Sequence, residues 1–332
     1  MSSTHALRGV NFGGWLIVEK WLTPRLFTDE TSIDEYGLSQ SHQGRQKIVT
    51  HRDVFITESD FAWCRDHGIK LIRLPVGHWL FESDEGYVPQ LKWVDWTFKM
   101  AKKYDLKVLV DLHAAKGSQN GAEHSGRVGA IRWSECQNDT IDLLCQIAKR
   151  YGKEQALWGI ELLNEPDAKI GQAMLIAFYN RAYAALIPQL RRGTRVVFHD
   201  SFRPFMFSGT IQPIDGYPIV IDVHWYLFSF RFADILPLAL LLGFVGMTYQ
   251  LRVLRLRRRQ PVIVGEWSSV LPQKLFDSVP RSHHNRLLSK SIDMQVKAFE
   301  HTNAYVYWNY KAEGRGMWNY RALQEDGVIT LK

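Results

Sequence analysis

Eight short apolar runs, separated by stretches of helical periodicity, constrain the fold of this chain more than any other feature. The runs fall at 9–12, 70–75, 107–112, 158–163, 194–199, 219–224, 261–266 and 304–309. Between them, segments such as 59–67, 93–104, 139–151, 172–190 and 283–301 carry apolar residues at three- and four-residue spacing, as an amphipathic helix requires. Strand and helix in alternation demand a parallel sheet with helices packed on it. Eight such units in 332 residues, with no Pro- or Gly-rich linker between them, predict an α/β fold: one (β/α)8 TIM barrel domain over 1–332. A doubly wound open sheet is the alternative, but no Gly-x-Gly-x-x-Gly turn follows the first run to support it.

The runs read as strands buried on both faces, so a charged residue closing one of them belongs at a mouth rather than in the core. In a barrel of this kind the chemistry sits at the C-terminal strand ends. Those ends carry Arg73, then Asp111 and His113, then Asn164 and Glu165, then His224, Trp225 and Tyr226, then Glu266, and finally Trp308. Singly each has a bland reading: Arg73 a surface ion pair, His113 a satisfied core histidine, His224 and Tyr226 loop residues, Trp308 a core ring. Six strand ends with groups of the kinds one site needs point to a shared site.

Two glutamates stand out, Glu165 in Leu162-Leu163-Asn164-Glu165-Pro166 and Glu266 in Val262-Ile263-Val264-Gly265-Glu266-Trp267. Cleaving an acetal takes one carboxylic acid to protonate the leaving oxygen and one carboxylate to attack or stabilise the oxocarbenium-like centre. The pair therefore predicts a retaining glycoside hydrolase with no metal or organic cofactor. The 12 Trp, 13 Tyr and 17 Phe supply flat faces on which sugar rings stack, although packing accounts for most of them.

Formal charge is +7, much of it from Arg252, Arg255, Arg257, Arg258 and Arg259. Such a run suits an anionic partner, but it also suits the solvated last turns of a helix, whose dipole cations complement; nucleic acid is not the expected partner. Just before it, 235–251 is uncharged and Leu-rich, yet it contains Pro237, Gly243 and Gly246 and falls short of a comfortable membrane span. It reads as a buried outer helix, with weak membrane-surface contact through 235–259 as the alternative. Three cysteines imply no disulfide framework, and residues 1–8 lack the apolar core of a signal peptide. A cytoplasmic monomer is the expectation, or a secreted one if a leader preceded Met1.

Longer motifs are more specific. Gly9-Val10-Asn11-Phe12-Gly13-Gly14-Trp15-Leu16, Glu19-Lys20-Trp21-Leu22-Thr23-Pro24, Arg73-Leu74-Pro75-Val76-Gly77, Asp111-Leu112-His113-Ala114-Ala115, Gly117-Ser118-Gln119-Asn120-Gly121, Val264-Gly265-Glu266-Trp267-Ser268 and Trp308-Asn309-Tyr310 span nearly the whole chain. Together they resemble glycoside hydrolase family 5, and within it the branch of exo-β-1,3-glucanases and related β-glucosidases. The resemblance implies Glu165 as acid/base and Glu266 as nucleophile, with Arg73, His113, Asn164, His224, Tyr226 and Trp308 around them. It also implies that Glu19 touches the non-reducing-end sugar of a β-linked glucan, oligosaccharide or glucoside in an exo-acting pocket.

On that assignment Arg73 would hold Glu266 ionised, and the ionised Glu266 would raise the pKa of Glu165 and so prime the acid. Asn164 and His113 would bond sugar hydroxyls, and Trp308 would floor the subsite. The chain departs from the branch where an entrance-clamp aromatic is expected, at Ala122-Glu123-His124. The second clamp position falls near Ser229, with Phe228 and Phe230 on either side, and the stretch 224–266 is short. Linkage preference therefore stays open, with an endo-β-1,4-glucanase or mannanase and a glycosylceramidase as alternatives. A non-catalytic carbohydrate-binding barrel would have lost a carboxylate, and both are present.

Overall fold

The computed structural model describes residues 6–28, 31–229 and 238–330. Eight parallel strands close into a barrel in chain order: β1 (Leu7–Asn11), β2 (Leu71–Gly77), β3 (Lys107–Ala114), β4 (Leu157–Glu161), β5 (Arg195–His199), β6 (Ile219–His224), β7 (Val262–Trp267) and β8 (Ala304–Tyr307). Strand β8 pairs back onto β1, Leu7 opposite Ala304 and Val10 opposite Tyr307, which leaves no free edge. Each apolar run of the sequence forms one of these strands. Helices Glu58–Asp66, Leu91–Lys103, Gln137–Tyr151, Gln172–Leu186 and His284–Phe299 lie where the periodicity predicts them.

One unit is abbreviated. Between β5 and β6 only the four-residue helix Pro204–Phe207 forms, because Gly209, Pro213, Gly216 and Pro218 interrupt the rest of the link. The helix Leu238–Leu256 corrects a second expectation, that the apolar segment is a buried outer helix. It buries Leu241, Val245, Tyr249, Val253 and Leu256, and leaves Leu240, Met247, Leu251 and Leu254 exposed. A helix on a barrel covers one stripe of its surface, so all-round apolarity does not bury it. Residues 235–237 and Phe230 lie outside the described residues. No described helix is long and apolar enough to cross a membrane.

Side chains alternate along a strand, and the barrel uses that period to build two unlike layers inside itself. Leu71, Leu109, Val197, Val220, Ile263 and Ala304 belong to one apolar cluster filling the lower interior. Two residues further along the same strands stand Arg73, Asp111, His199 and Asp222, joined by Glu161 from β4, all fully buried. This charged layer is the floor of the mouth.

Gly265 shows how tightly the floor is built. Its N–H donates to Asp222 Oδ1 at 2.6 Å, and a Cβ placed on it would lie 1.9 Å from Asp222 Oδ2. Gly265→Ala therefore forces Asp222 or β7 to move. The expected outcome in urea denaturation is a loss of about 1–3 kcal/mol, the usual cost of overpacking, with reduced activity because Glu266 is the next residue. An unchanged midpoint would contradict the close approach.

Candidate active site

Arg73, on β2, anchors the site. Its Nε and Nη2 donate to Glu161 Oε2 and Oε1 at 2.8 and 3.1 Å, a bidentate pair, while Nη2 also reaches Asn164 Oδ1 at 2.8 Å. Nη1 donates to Asn11 Oδ1 at 3.1 Å and to Glu266 Oε1 at 3.0 Å, and Asp111 Oδ2 lies 3.2 Å from Nη2. Burial alone would depress the guanidinium pKa, but the charges of Asp111, Glu161 and Glu266 outweigh it and raise it further. Far from the surface ion pair of its bland reading, Arg73 is a permanently charged, fully buried hub.

Two backbone devices aim the glutamates. Glu266 is part of β7, and its carbonyl accepts from Trp225 N at 3.0 Å, just beyond the end of the neighbouring β6. Glu165 sits just beyond β4 with φ +42°, a left-handed conformation uncommon for a residue with a side chain. Pro166 disfavours the right-handed helical alternative at Glu165. Asn120 Nδ2 donates to the Glu165 carbonyl at 3.1 Å and pins the turn.

His224 joins the two carboxylates. Its Nδ1 lies 2.6 Å from Glu165 Oε1 and 3.5 Å from Glu266 Oε2, while Nε2 is 3.5 Å from Asp222 Oδ2. A common contact to one nitrogen caps the separation of those two oxygens at about 6 Å, short of the roughly 6.5–9.5 Å that an inverting enzyme needs for its water. Tyr226 OH donates to Glu266 Oε2 at 2.7 Å.

The proton balance differs from expectation. Burial acts to raise Glu165, but the hydrogen bond and charge of His224, with His124 and His199 behind it, bring its pKa below the usual carboxylate range. Burial acts to depress His224, but Glu266 and Asp222 outweigh it and hold the imidazole protonated well above its ordinary range. The two directions together favour the ionised pair, a His224 imidazolium against a Glu165 carboxylate, over the neutral one. Glu266 is raised, by burial first and by Glu165 in part, with His224 and Arg73 opposing. Arg73 therefore offsets the desolvation of Glu266 without overcoming it.

The remaining predicted residues surround a cavity of about 280 Å³ lined by Glu19, Trp21, His113, His124, Glu165, Tyr226, Phe228, Glu266, Trp308 and Trp318. Asp111 Oδ2 is 2.6 Å from His113 Nδ1, and since a carboxylate only accepts, Nδ1 is the donor in that bond. Among the described residues, His113 Nε2, Asn164 Nδ2 and Glu19 Oε1 are buried polar atoms with no partner. Trp308 stacks parallel to His113, centroids 5.4 Å apart, and Gly13 leaves it room, since a Cβ there would lie 2.8 Å from the Trp308 ring. A larger cavity of about 1130 Å³, lined by Arg192, Tyr217, Pro218, Arg259 and Pro261 among others, opens where β5, β6 and β7 begin. It lies at the end opposite the carboxylates and holds no paired acids.

A sequence profile of the family Cellulase (glycosyl hydrolase family 5) matches residues 31–314. The chain belongs to glycoside hydrolase family 5. It is 30% identical to glucan 1,3-beta-glucosidase 1 of Schizosaccharomyces pombe over 98% of this chain and 88% of that protein. It is equally similar, at 30% over 97% and 87%, to the probable glucan 1,3-beta-glucosidase A of Aspergillus fumigatus. Among solved structures, the rutinosidase from Aspergillus niger superposes with TM-score 0.75 at 19% identity, covering 98% of each chain. Endoglucanase Cel5A of Thermotoga maritima gives TM-score 0.59 at 15% identity over 97% of each. These two share the fold. As a family 5 member, the chain is a retaining glycoside hydrolase.

This family 5 site also recruits residues the sequence reading passed over. Glu161 and Asp222 sit inside apolar runs, and a buried acid inside such a run is itself a signal of an internal charge network. His124, in the segment where a clamp aromatic was expected, has Nε2 3.4 Å from Glu165 Oε2. At the entrance, Phe228 stacks on Tyr226 at 5.2 Å, and Trp318 packs against Trp21 at 5.1 Å and Phe228 at 5.9 Å. An aromatic wall therefore exists, assembled from three separate loops.

Removing the hub leaves several buried carboxylates without a cation. Arg73→Ala is expected to lose about 3–5 kcal/mol in urea denaturation and to lose activity. Arg73→Lys restores charge without the bidentate fork, so it is expected to regain part of the stability while kcat stays low. Equal stability of Ala and wild type would show that the network is neutral to folding.

Proposed function

We propose that this enzyme is an exo-acting β-glucosidase of the glucan 1,3-beta-glucosidase type, with Glu266 as nucleophile and Glu165, together with His224, as acid/base. The observation that carries the reading is that His113 and Glu19, whose buried Nε2 and Oε1 have no partner, line with the two carboxylates a cavity of about 280 Å³, while Nδ2 of Asn164, next to Glu165 in the chain, is unpartnered as well. Unpaired buried polar groups cost about 1–3 kcal/mol each, and hydroxyls of one sugar ring satisfy them. The cavity is at the lower limit of small-molecule sites and suits one ring rather than a long chain. Relatives named glucan 1,3-beta-glucosidase support β-linked glucose and the 1,3 linkage.

In the first step a Glu266 oxygen bonds to the anomeric carbon as the carbon–oxygen bond to the leaving group breaks. The proton passes from His224 Nδ1 across 2.6 Å to Glu165 Oε1 and on to the leaving oxygen. Forming the ester removes the charge of Glu266, one of the carboxylates that hold the proton on His224, so the proton affinity of the pair falls. The emptied pair then takes a proton from water as its oxygen attacks the same carbon and frees Glu266. Two inversions give net retention.

A second reading concerns the leaving-group side. A groove of about 540 Å³ lined by Phe202, Phe205, Trp225, Tyr226 and Phe244, among others, adjoins His224. Such walls favour an apolar aglycone over a second glucose.

Laminaritriose, cellotriose, gentiobiose, a mannotriose, glucosylceramide and an aryl β-glucoside, each with wild type and Glu266→Gln, test both readings. Expected is release of β-glucose, observed by NMR before mutarotation, from laminaritriose or the aryl glucoside and none with Glu266→Gln. Release of α-glucose, or activity surviving the substitution, would reject the assigned roles. Internal cleavage of the mannotriose or cellotriose alone would reject the exo reading.

The shared proton makes a further claim. Because His224 is held above its ordinary value of about 6.5, the basic limb of kcat/KM is expected above that pH. In His224→Asn, Glu165 is the sole proton holder, so the limb is expected to move to lower pH with kcat reduced. A limb that stays in place would show that Glu165 holds the proton alone.

A further inference from the structure

The helix Leu238–Leu256 is the long element whose composition glycoside chemistry leaves unexplained. Its inward stripe packs on the barrel and on the helix His284–Phe299, Tyr249 stacking on Trp225 with centroids 5.0 Å apart. Its outward stripe is apolar too. Leu240, Met247, Leu251 and Leu254 are 63%, 56%, 61% and 37% exposed, and spacings of seven, four and three residues align them along one face. Scattered exposed apolar residues are ordinary on a soluble surface, whereas a stripe four turns long marks an interaction face.

Charge along the helix itself has one sign. From 235 to 265 the chain has five arginines, Arg252, Arg255, Arg257, Arg258 and Arg259, and no Asp or Glu. Arg255, Arg257, Arg258 and Arg259 are exposed around the C-terminal end of the helix. The Arg255 guanidinium rests 4.5 Å from the Phe205 ring, and Arg259 Nη1 donates to Ser208 Oγ at 3.3 Å, so part of the cluster is held in place.

We propose that this face docks the enzyme on an anionic lipid surface, beyond the hydrolytic reading above and independent of it. Leucines and methionine enter the boundary between headgroups and acyl chains, and the arginines meet lipid phosphates. A second copy of the chain is a poorer occupant, because the apposed helices bring only cations and no acid to pair with them. Thr248, Tyr249 and Arg252 of the same helix also line the groove beside Tyr226, so docking sets the leaving-group side of the site next to the lipid.

Co-sedimentation with phosphatidylcholine vesicles, with and without phosphatidylglycerol, tests the face. Partitioning at least about tenfold stronger onto the anionic vesicles is expected, weakened by added salt. Arg257→Glu with Arg258→Glu is expected to remove about tenfold or more of that binding. Met247→Gln with Leu251→Gln is expected to weaken it as well. All four positions are exposed, and an unchanged thermal midpoint verifies the fold of each variant. Failure to partition, equal partitioning onto neutral vesicles, or a lipid-free dimer abolished by the Met247 and Leu251 changes would each overturn the proposal. None of these readouts depends on glycosidase activity.

Discussion

The buried guanidinium of Arg73 is the interaction on which the rest of the site depends. A barrel interior normally fills with branched apolar side chains, as the lower layer of this one does. Above that layer the chain buries Asp111, Glu161, Asp222 and Glu266 in one small volume, where each uncompensated charge is costly. Arg73 makes the arrangement possible because its planar fork serves several acceptors at once and cannot lose its proton. The same bonds orient Asn164 and Glu266, so folding and the placement of both side chains rest on one residue.

A second consequence of packing many acids together falls on His224. Glu266, Asp222 and Glu165 surround His224, and the imidazole is more basic in that company than Glu165 is. In the proposed mechanism the 2.6 Å contact lets the histidine serve as a proton reservoir while the glutamate faces the leaving oxygen. The simple account, in which one carboxylate raises the other, omits the base between them.

Much of this was legible in the chain, and the exceptions are instructive. Runs such as Ile219 to His224 are strands in the sequence and in the structure, because β-branched residues without helical spacing have few alternatives. Glu19, Arg73, His113, Glu165, Tyr226, Glu266 and Trp308 meet at one mouth, because a parallel barrel sends every C-terminal strand end to the same side. Glu161 and Asp222 were hidden by their apolar neighbours, since the two faces of a barrel strand interleave in a single run. His124 and Trp318 were missed as site residues because their loops approach the site from distant parts of the chain.

The sequence alone determined the alternation of strands and helices, the closed barrel it implies, the two carboxylates and the family to which the chain belongs. Those follow from periodicity and local motifs, which survive in one dimension. Only the tertiary structure decided how His224 couples the two glutamates, which buried polar atoms lack a partner, how aromatics from three loops form a wall, and which face of the apolar helix stays outside. Each depends on distances of a few ångströms between residues far apart in the chain, and electrostatics and burial are functions of those distances.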